Sequence, residues 1–236
     1  MLKIYIDKHK DKMAFILGTG PSLRNIKPEL LKPHVTIAVN GAILKAPEAD
    51  YYFSCDNGMV LWKSWLTLKD LKCKLILASN SGFGAFQHVI KDRGIFDGIS
   101  MLRIDYLPRK KDNIFDKGDK LIKGSSSVHA AVHFAWVMGC SPIVLIGCEC
   151  KYVGGKKHYW DFPNQPDEGL VNLKHNSHRR PLSKSNPGGT TDGELNHHRN
   201  VWRLIRKLNP QEINIIDASG GNYEYFQSNT LEEILK

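Results

Sequence analysis

An α/β fold, with a mostly parallel sheet covered by helices on both faces, is predicted by three observations. Apolar runs of strand length recur along the chain, and helix-like stretches separate them. The runs at 14–18 and 142–147 are apolar almost without interruption, as strands buried on both faces are. At 236 residues the chain suits one such domain with decoration, and its 42% hydrophobic content is enough for a core.

The elements follow in order. "AFILG" (14–18) reads as the first strand, and "RNIKPELLK" (24–32) as a short helix with Pro28 near its start. Strands are expected at "VTIAVNG" (35–41), "DYYFSCDN" (50–57) and "KLILASN" (74–80), with a helix at "VLWKSWL" (60–66) and Gly82 and Gly84 after the fourth strand. "ISMLRIDYL" (99–107) is a further strand. "SSSVHAAVHFAWVMG" (125–139) has helical periodicity, with serines at its start and a glycine stop. "PIVLIGCEC" (142–150) is a buried strand, "HHRNVWRLIRKLNP" (197–210) an amphipathic helix ended by Asn-Pro, and "INIIDAS" (213–219) the last strand. The stretch at about 151–196 is rich in Gly, Pro, Asn, His and Lys and has no periodicity. It reads as a functional flap or as disorder. A single domain over 1–236 with this flap inserted is the expected organisation.

A formal net charge of +9 favours a polyanionic or phosphorylated partner, with nucleotide, nucleic acid and anionic glycan all open. It is equally compatible with a merely basic enzyme. Of the five cysteines, Cys55, Cys140, Cys148 and Cys150 lie in or beside apolar runs, and Cys73 reads as partly exposed. This is reduced, cytoplasmic usage rather than a disulfide framework. The chain shows no signal-peptide pattern and no run of ~18 apolar residues, so no membrane span is expected.

The candidate chemistry begins at Gly18-Thr19-Gly20-Pro21-Ser22. Two glycines one apart after a strand allow a sharp turn and close approach to a phosphate. Ser22 is expected to cap the next helix and offer a hydroxyl. Leu23 stands where a dinucleotide fingerprint has its third glycine. Asn40, rather than an acid, ends the second strand, and no Gly-Lys-Ser/Thr follows. NAD sites and P-loops are therefore disfavoured, and a plain strand-to-helix turn is the alternative. Asn40, Asp56, Asn57, Asn80 and Glu149 each end a strand, which points them toward one crevice, although turn chemistry favours the same residues. Asp56 and Glu149 could hold Mg²⁺.

The serines at 125–127 supply a second anion-friendly helix start. His129 and His133 are spaced as zinc ligands can be, but lack the adjoining glutamate, so core histidines are the preferred reading. Cys148 and Cys150 flank Glu149. Strand alternation would put the thiols on one face and the carboxylate on the other. The flap carries "KKHYW" (156–160), "KHNSHRR" (174–180) and "NHHRN" (196–200), with histidines suited to proton transfer and cations suited to phosphate or nucleic acid.

"ILGTGPSL", "ADYYFSCDN" and "GSSSVHAAVHFAWVMGCSPIVLIGCEC" together resemble a Rossmann-like superfamily with two branches. One is the bacterial sialyltransferases of glycosyltransferase family 42. The other is the group similar to 6-hydroxymethylpterin diphosphokinase, also called domain of unknown function 115. The resemblance spans about residues 13–150. Its first branch implies a metal-free transferase using a nucleotide sugar. Gly18, Thr19, Gly20, Pro21 and Ser22 would hold phosphate, while Asn40 and Ser125 or Ser126 would contact the nucleotide. Tyr152 or Tyr159 would add a phosphate contact, and His198 or His197 would be the general base. Its second branch implies pyrophosphate transfer from ATP with Mg²⁺ on Asp56 and Glu149. The family's strand-ending aspartate is Glu149 here, inside Cys-Glu-Cys.

Glycosyl transfer with a histidine base is the first expectation, with a glycan, a small molecule or a modified nucleic acid as acceptor. The alternatives are a Mg²⁺-dependent pyrophosphokinase and a non-catalytic nucleotide- or nucleic-acid-binding module. The oligomeric state is open.

Overall fold

The structure, a computed structural model, describes residues 1–56, 72–80, 99–106, 115–166, 190–208, 213–221, 224 and 226–236. The expected helix at 60–66, Asn57, Gly82, Gly84 and the 174–180 cluster lie outside the described residues.

Among the described residues, nine strands form one sheet, all parallel, in the order β6-β5-β4-β3-β2-β1-β7-β8-β9. They are β1 (Ala14–Leu17), β2 (Val35–Val39), β3 (Tyr51–Ser54), β4 (Lys74–Ser79), β5 (Ser100–Tyr106), β6 (Lys120–Lys123), β7 (Ile143–Ile146), β8 (Ile215–Asp217) and β9 (Gln227–Ser228). β1, β2, β3 and β7 are buried at every position, which matches their unbroken apolar runs. β6 and β9 were not expected: "KLIK" is short with a lysine at each end, and β9 is two exposed residues at the sheet edge.

Helix α1 (Ser127–Val137) lies on one face of the sheet with helix α2 (Thr190–Leu208). α1 is buried almost all round because its small residues Ala130, Ala131 and Ala135 let it sit against the strands. It ends where Gly139 takes a left-handed conformation, φ +78°. α2 turns Val201, Trp202, Ile205 and Leu208 inward and leaves Arg203, Arg206 and Lys207 in solvent. Its start at Thr190 is seven residues earlier than expected, because the polar, Gly193-containing first turns carry no apolar stripe. The opposite face is covered by 3-10 turns and by the short helix α3 (Leu231–Ile234). The stretch expected as one helix at 24–32 is two such turns, Pro21–Asn25 and Pro28–Leu31, each entered through a proline.

The chain winds outward from β1 to β6, then crosses by α1 to β7 on the other side of β1. The point where the winding direction changes therefore lies between β1 and β7, whose register pairs Ala14 with Ile143 and Leu17 with Ile146. In open parallel sheets that is where the carboxyl ends part to form a crevice.

Candidate functional site

The ends of β1 and β7 are locked together. Gly18 N–H donates to Ile146 O at 2.7 Å and Gly20 N–H to Gly147 O at 2.8 Å. Gly147 N–H donates to Ser22 Oγ at 2.8 Å, and Ser22 N–H donates to Glu149 Oε1. Glycine is required by contact: a Cβ on Gly18 would lie 2.3 Å from Gly147 O, and one on Gly20 would lie 1.9 Å from Glu149 Oε2. This corrects the expected use of the loop. The amides of Gly18, Gly20 and Ser22 are spent on the protein rather than turned toward a ligand. Ser22 is not a cap either, because it lies inside the 3-10 turn that Gly20 begins.

Beside this junction is a cavity of ≈ 240 Å³. Thr19, Gly20 and Pro21 form one wall, Asn40 and Glu149 another, and Ser126, Ser127 and Val128 at the start of α1 a third. Lys151, Lys157 and His158 rim it, and α2 closes it with Leu195, His198 and Trp202. Asn40 has φ +52°, a left-handed conformation that asparagine tolerates, and its Oδ1 is buried without a protein partner. The turn after β7 folds over the glycine loop. Tyr159 N–H donates to Thr19 O at 3.0 Å, Thr19 Oγ1 lies 3.2 Å from His158 Nδ1, and His158 stacks on Trp160.

His198 is half-buried, lines the cavity, and has Nδ1 2.6 Å from Ser125 Oγ. His197, one position earlier, is exposed on α2. Tyr159 does not line the cavity: it is fully buried, and its hydroxyl donates to Gly41 O at 2.9 Å. Tyr152 is also absent from the lining.

The strand ends do not all converge. Asn40 and Glu149 do, Asp56 does not, and Asn80 is exposed and donates to Tyr106 OH at 3.4 Å. The reason is sheet order, since β4 stands three strands from β1, roughly 14 Å away at the usual spacing. Asp56 follows β3, three strands from β7, and does not line the cavity that Glu149 lines, and among the described residues no three His, Cys, Asp or Glu side chains converge to hold a metal ion.

Strand alternation also fails at Cys-Glu-Cys, because β7 ends at Ile146 and Gly147 turns the chain with φ +68°. All three residues reach the cavity wall. Cys73 is buried, and the partly exposed thiols are Cys55 and Cys150. His129 and His133 are buried core histidines. His133 accepts from Ile122 N–H at 2.7 Å, lies 3.0 Å from Asp116 O and stacks on Phe115, and burial pushes its pKa down to about 4.

Glu149 is 1% exposed, with Oε2 unpartnered. Loss of water raises its pKa, opposed by hydrogen bonds from Ser22. An acid whose folded pKa exceeds its unfolded one holds its proton more tightly when folded. Its contribution is therefore fully present below the unfolded pKa and is lost as pH rises through the folded one. Glu149→Gln keeps an acceptor for Ser22 N–H and removes the ionisation. Its stability relative to wild type should rise between the two pKa values, read from urea titrations at a series of pH. A difference that is flat with pH would mean that Glu149 is charged at no cost.

Sequence reasoning missed Lys151, Leu195 and Trp202. Trp202 was available, since it lies four residues after His198 and so on the same helix face. Lys151 directly follows Cys-Glu-Cys, of which only Glu149 reads as facing the crevice.

Fold and site define a Rossmann-like protein with a basic-rimmed cavity at the switch point of its sheet. The chain belongs to the 6-hydroxymethylpterin diphosphokinase MptE-like family, whose model matches residues 2–155. No curated protein matches it. Among solved structures it is similar to the sialyltransferase CstII from Campylobacter jejuni in complex with a substrate analogue, cytidine-5'-monophosphate. The identity is 12% over 93% of this chain and 85% of that one, with a TM-score of 0.48. Among the described residues, no helix is long and apolar enough to cross a membrane.

Proposed function

We propose that the protein is a transferase that seats a nucleotide in the β1/β7 cavity and transfers a glycosyl group from a nucleotide sugar. The observation that carries this reading is that one cavity gathers the start of α1, Lys151, Lys157 and His198. His198 Nδ1 lies 2.6 Å from the hydroxyl of Ser125, just before that helix start. The first amides of α1, at Ser127 and Val128, have no acceptor within the helix, and the helix dipole adds positive potential there. With two lysines they would stabilise the charge that develops on the leaving phosphate. His198 takes the proton from the acceptor hydroxyl as its oxygen bonds to the anomeric carbon and the bond to phosphate breaks. Asn40 Oδ1 and Glu149 Oε2, both buried and unpartnered, are placed to receive donor hydroxyl or amino groups.

Pyrophosphate transfer from ATP is the second reading, favoured by membership of the MptE-like family. It shares the phosphate seat and the base, and needs metal-binding groups beyond the pair Asp56 and Glu149.

A melting-temperature screen against CMP, UDP, ATP and nucleotide sugars, each with and without Mg²⁺, separates the two. A ligand at a hundredfold excess over its Kd stabilises the folded state by about 2.7 kcal/mol. Metal-independent stabilisation by a pyrimidine nucleotide or its sugar is the expected result. Stabilisation by ATP only with Mg²⁺ would replace glycosyl transfer by pyrophosphate transfer. No response to any of them would overturn the nucleotide site.

A further inference from the structure

His129 is a buried polar group for which the proposed reaction has no use. It is 0% exposed and stands at the third position of α1, where a side chain can reach back to the helix entrance. Its Nδ1 receives the backbone N–H groups of Ser125 and Ser126, each at 3.2 Å. A backbone amide can only donate, so Nδ1 carries no proton and the neutral ring is the Nε2–H tautomer. Burial acts in the same sense and pushes the ring's pKa well below its ordinary value. Nε2 lies fully buried without a hydrogen-bond partner.

The surroundings are built for this approach. The His129 ring packs edge-on against Trp202, with centroids 4.2 Å apart, and lies 6.1 Å from the ring of His198. Gly124 lets α2 come this close: a Cβ there would lie 2.4 Å from Val201 Cγ1 and 2.8 Å from His129 Nδ1.

Ser125 links the two histidines. Its N–H donates to His129 Nδ1, its Oγ lies 2.6 Å from His198 Nδ1, and the His129 ring itself packs on Trp202 of α2. We propose that His129 is a positioning residue, which fixes α2 against the serine segment and so sets the placement of the His198 ring in the cavity. This rests on the role given to His198 above. His129 touches neither donor nor acceptor, so its loss should lower the rate and spare nucleotide binding. A displacement of about 1 Å in a reacting group can cost on the order of 10²-fold.

Two substitutions divide the ring's two contacts. His129→Asn places an amide oxygen near the position of Nδ1, keeping an acceptor for the serine amides and removing the group at Nε2. His129→Gln carries the side chain out to the Nε2 position and keeps part of the packing against Trp202. Nitrogen-detected NMR of the full chain with ¹⁵N-histidine should show His129 as Nε2–H throughout roughly pH 6–8. The ring signals of His198 should be displaced in His129→Asn and restored in His129→Gln. With the donor found by the melting screen, kcat should fall about 10–100-fold in His129→Asn with KM for that donor unchanged, and recover in His129→Gln.

A protonated Nδ1 on His129, or His198 signals identical in wild type and His129→Asn, would overturn the proposal. The wild-type tautomer can overturn the proposal even if both variants fail to fold. Displaced His198 signals in a protein that binds no nucleotide would leave the positioning role standing and remove the transferase reading.

Discussion

His198→Ala is expected to lower transfer by about 10²–10⁴-fold, the usual cost of deleting a general base. Under the proposed roles the affinity for the nucleotide should stay nearly unchanged, because the base would act on the acceptor while the proposed phosphate seat draws on other residues of the same cavity, the start of α1, Lys151 and Lys157. The loss should far exceed that of His197→Ala, whose ring is exposed. Single-turnover rates, with calorimetric titration of the nucleotide, separate the two effects. Lost binding with the rate at saturation intact would move His198 from the base to the donor seat.

Gly18→Ala should have the largest structural effect. Gly18 is buried, and its missing Cβ faces Gly147 O at 2.3 Å and Cys148 Sγ at 2.8 Å. The clash is with backbone that is itself fixed, since Gly18 N–H is bonded to Ile146 O and Gly147 N–H to Ser22 Oγ. Overpacking of this kind costs typically 1–3 kcal/mol, and about 2–4 °C of Tm per kcal/mol in a domain of this size. Nucleotide-induced stabilisation should fall too, because β1 and β7 must separate to admit the methyl group. An unchanged Tm with unchanged ligand response would show that the junction can relax freely.

Much of this architecture is legible in the sequence, for reasons that also mark where legibility stops. β1, β2, β3 and β7 announce themselves because a strand buried on both faces must be apolar at every position. β9 has no such constraint, and β6 alternates too briefly between lysines to stand out. The glycine loop is legible as a place of close backbone approach, but a sequence does not say what approaches. Here it is the end of β7, more than a hundred residues away in the chain. Asp56 and Asn80 end strands as Asn40 and Glu149 do, yet strand order decides who meets whom, and order is a property of the crossover. His198 and His197 are adjacent in sequence and differ by the helical rotation of one residue, which the inward face of Val201, Trp202 and Ile205 fixes.

The crossover has a consequence for the chain during synthesis. β1 is translated before its partner β7, which begins about 125 residues later, a delay of roughly 6–25 s at 5–20 residues per second. Until then one edge of "AFIL" has no strand beside it and the glycine loop has nothing to close against. The nascent chain therefore holds an apolar hydrogen-bonding edge open for seconds at the centre of its future sheet, where it can recruit a chaperone or pair wrongly. It acquires its cavity only when α2, the last helix to pack against that face, leaves the ribosome.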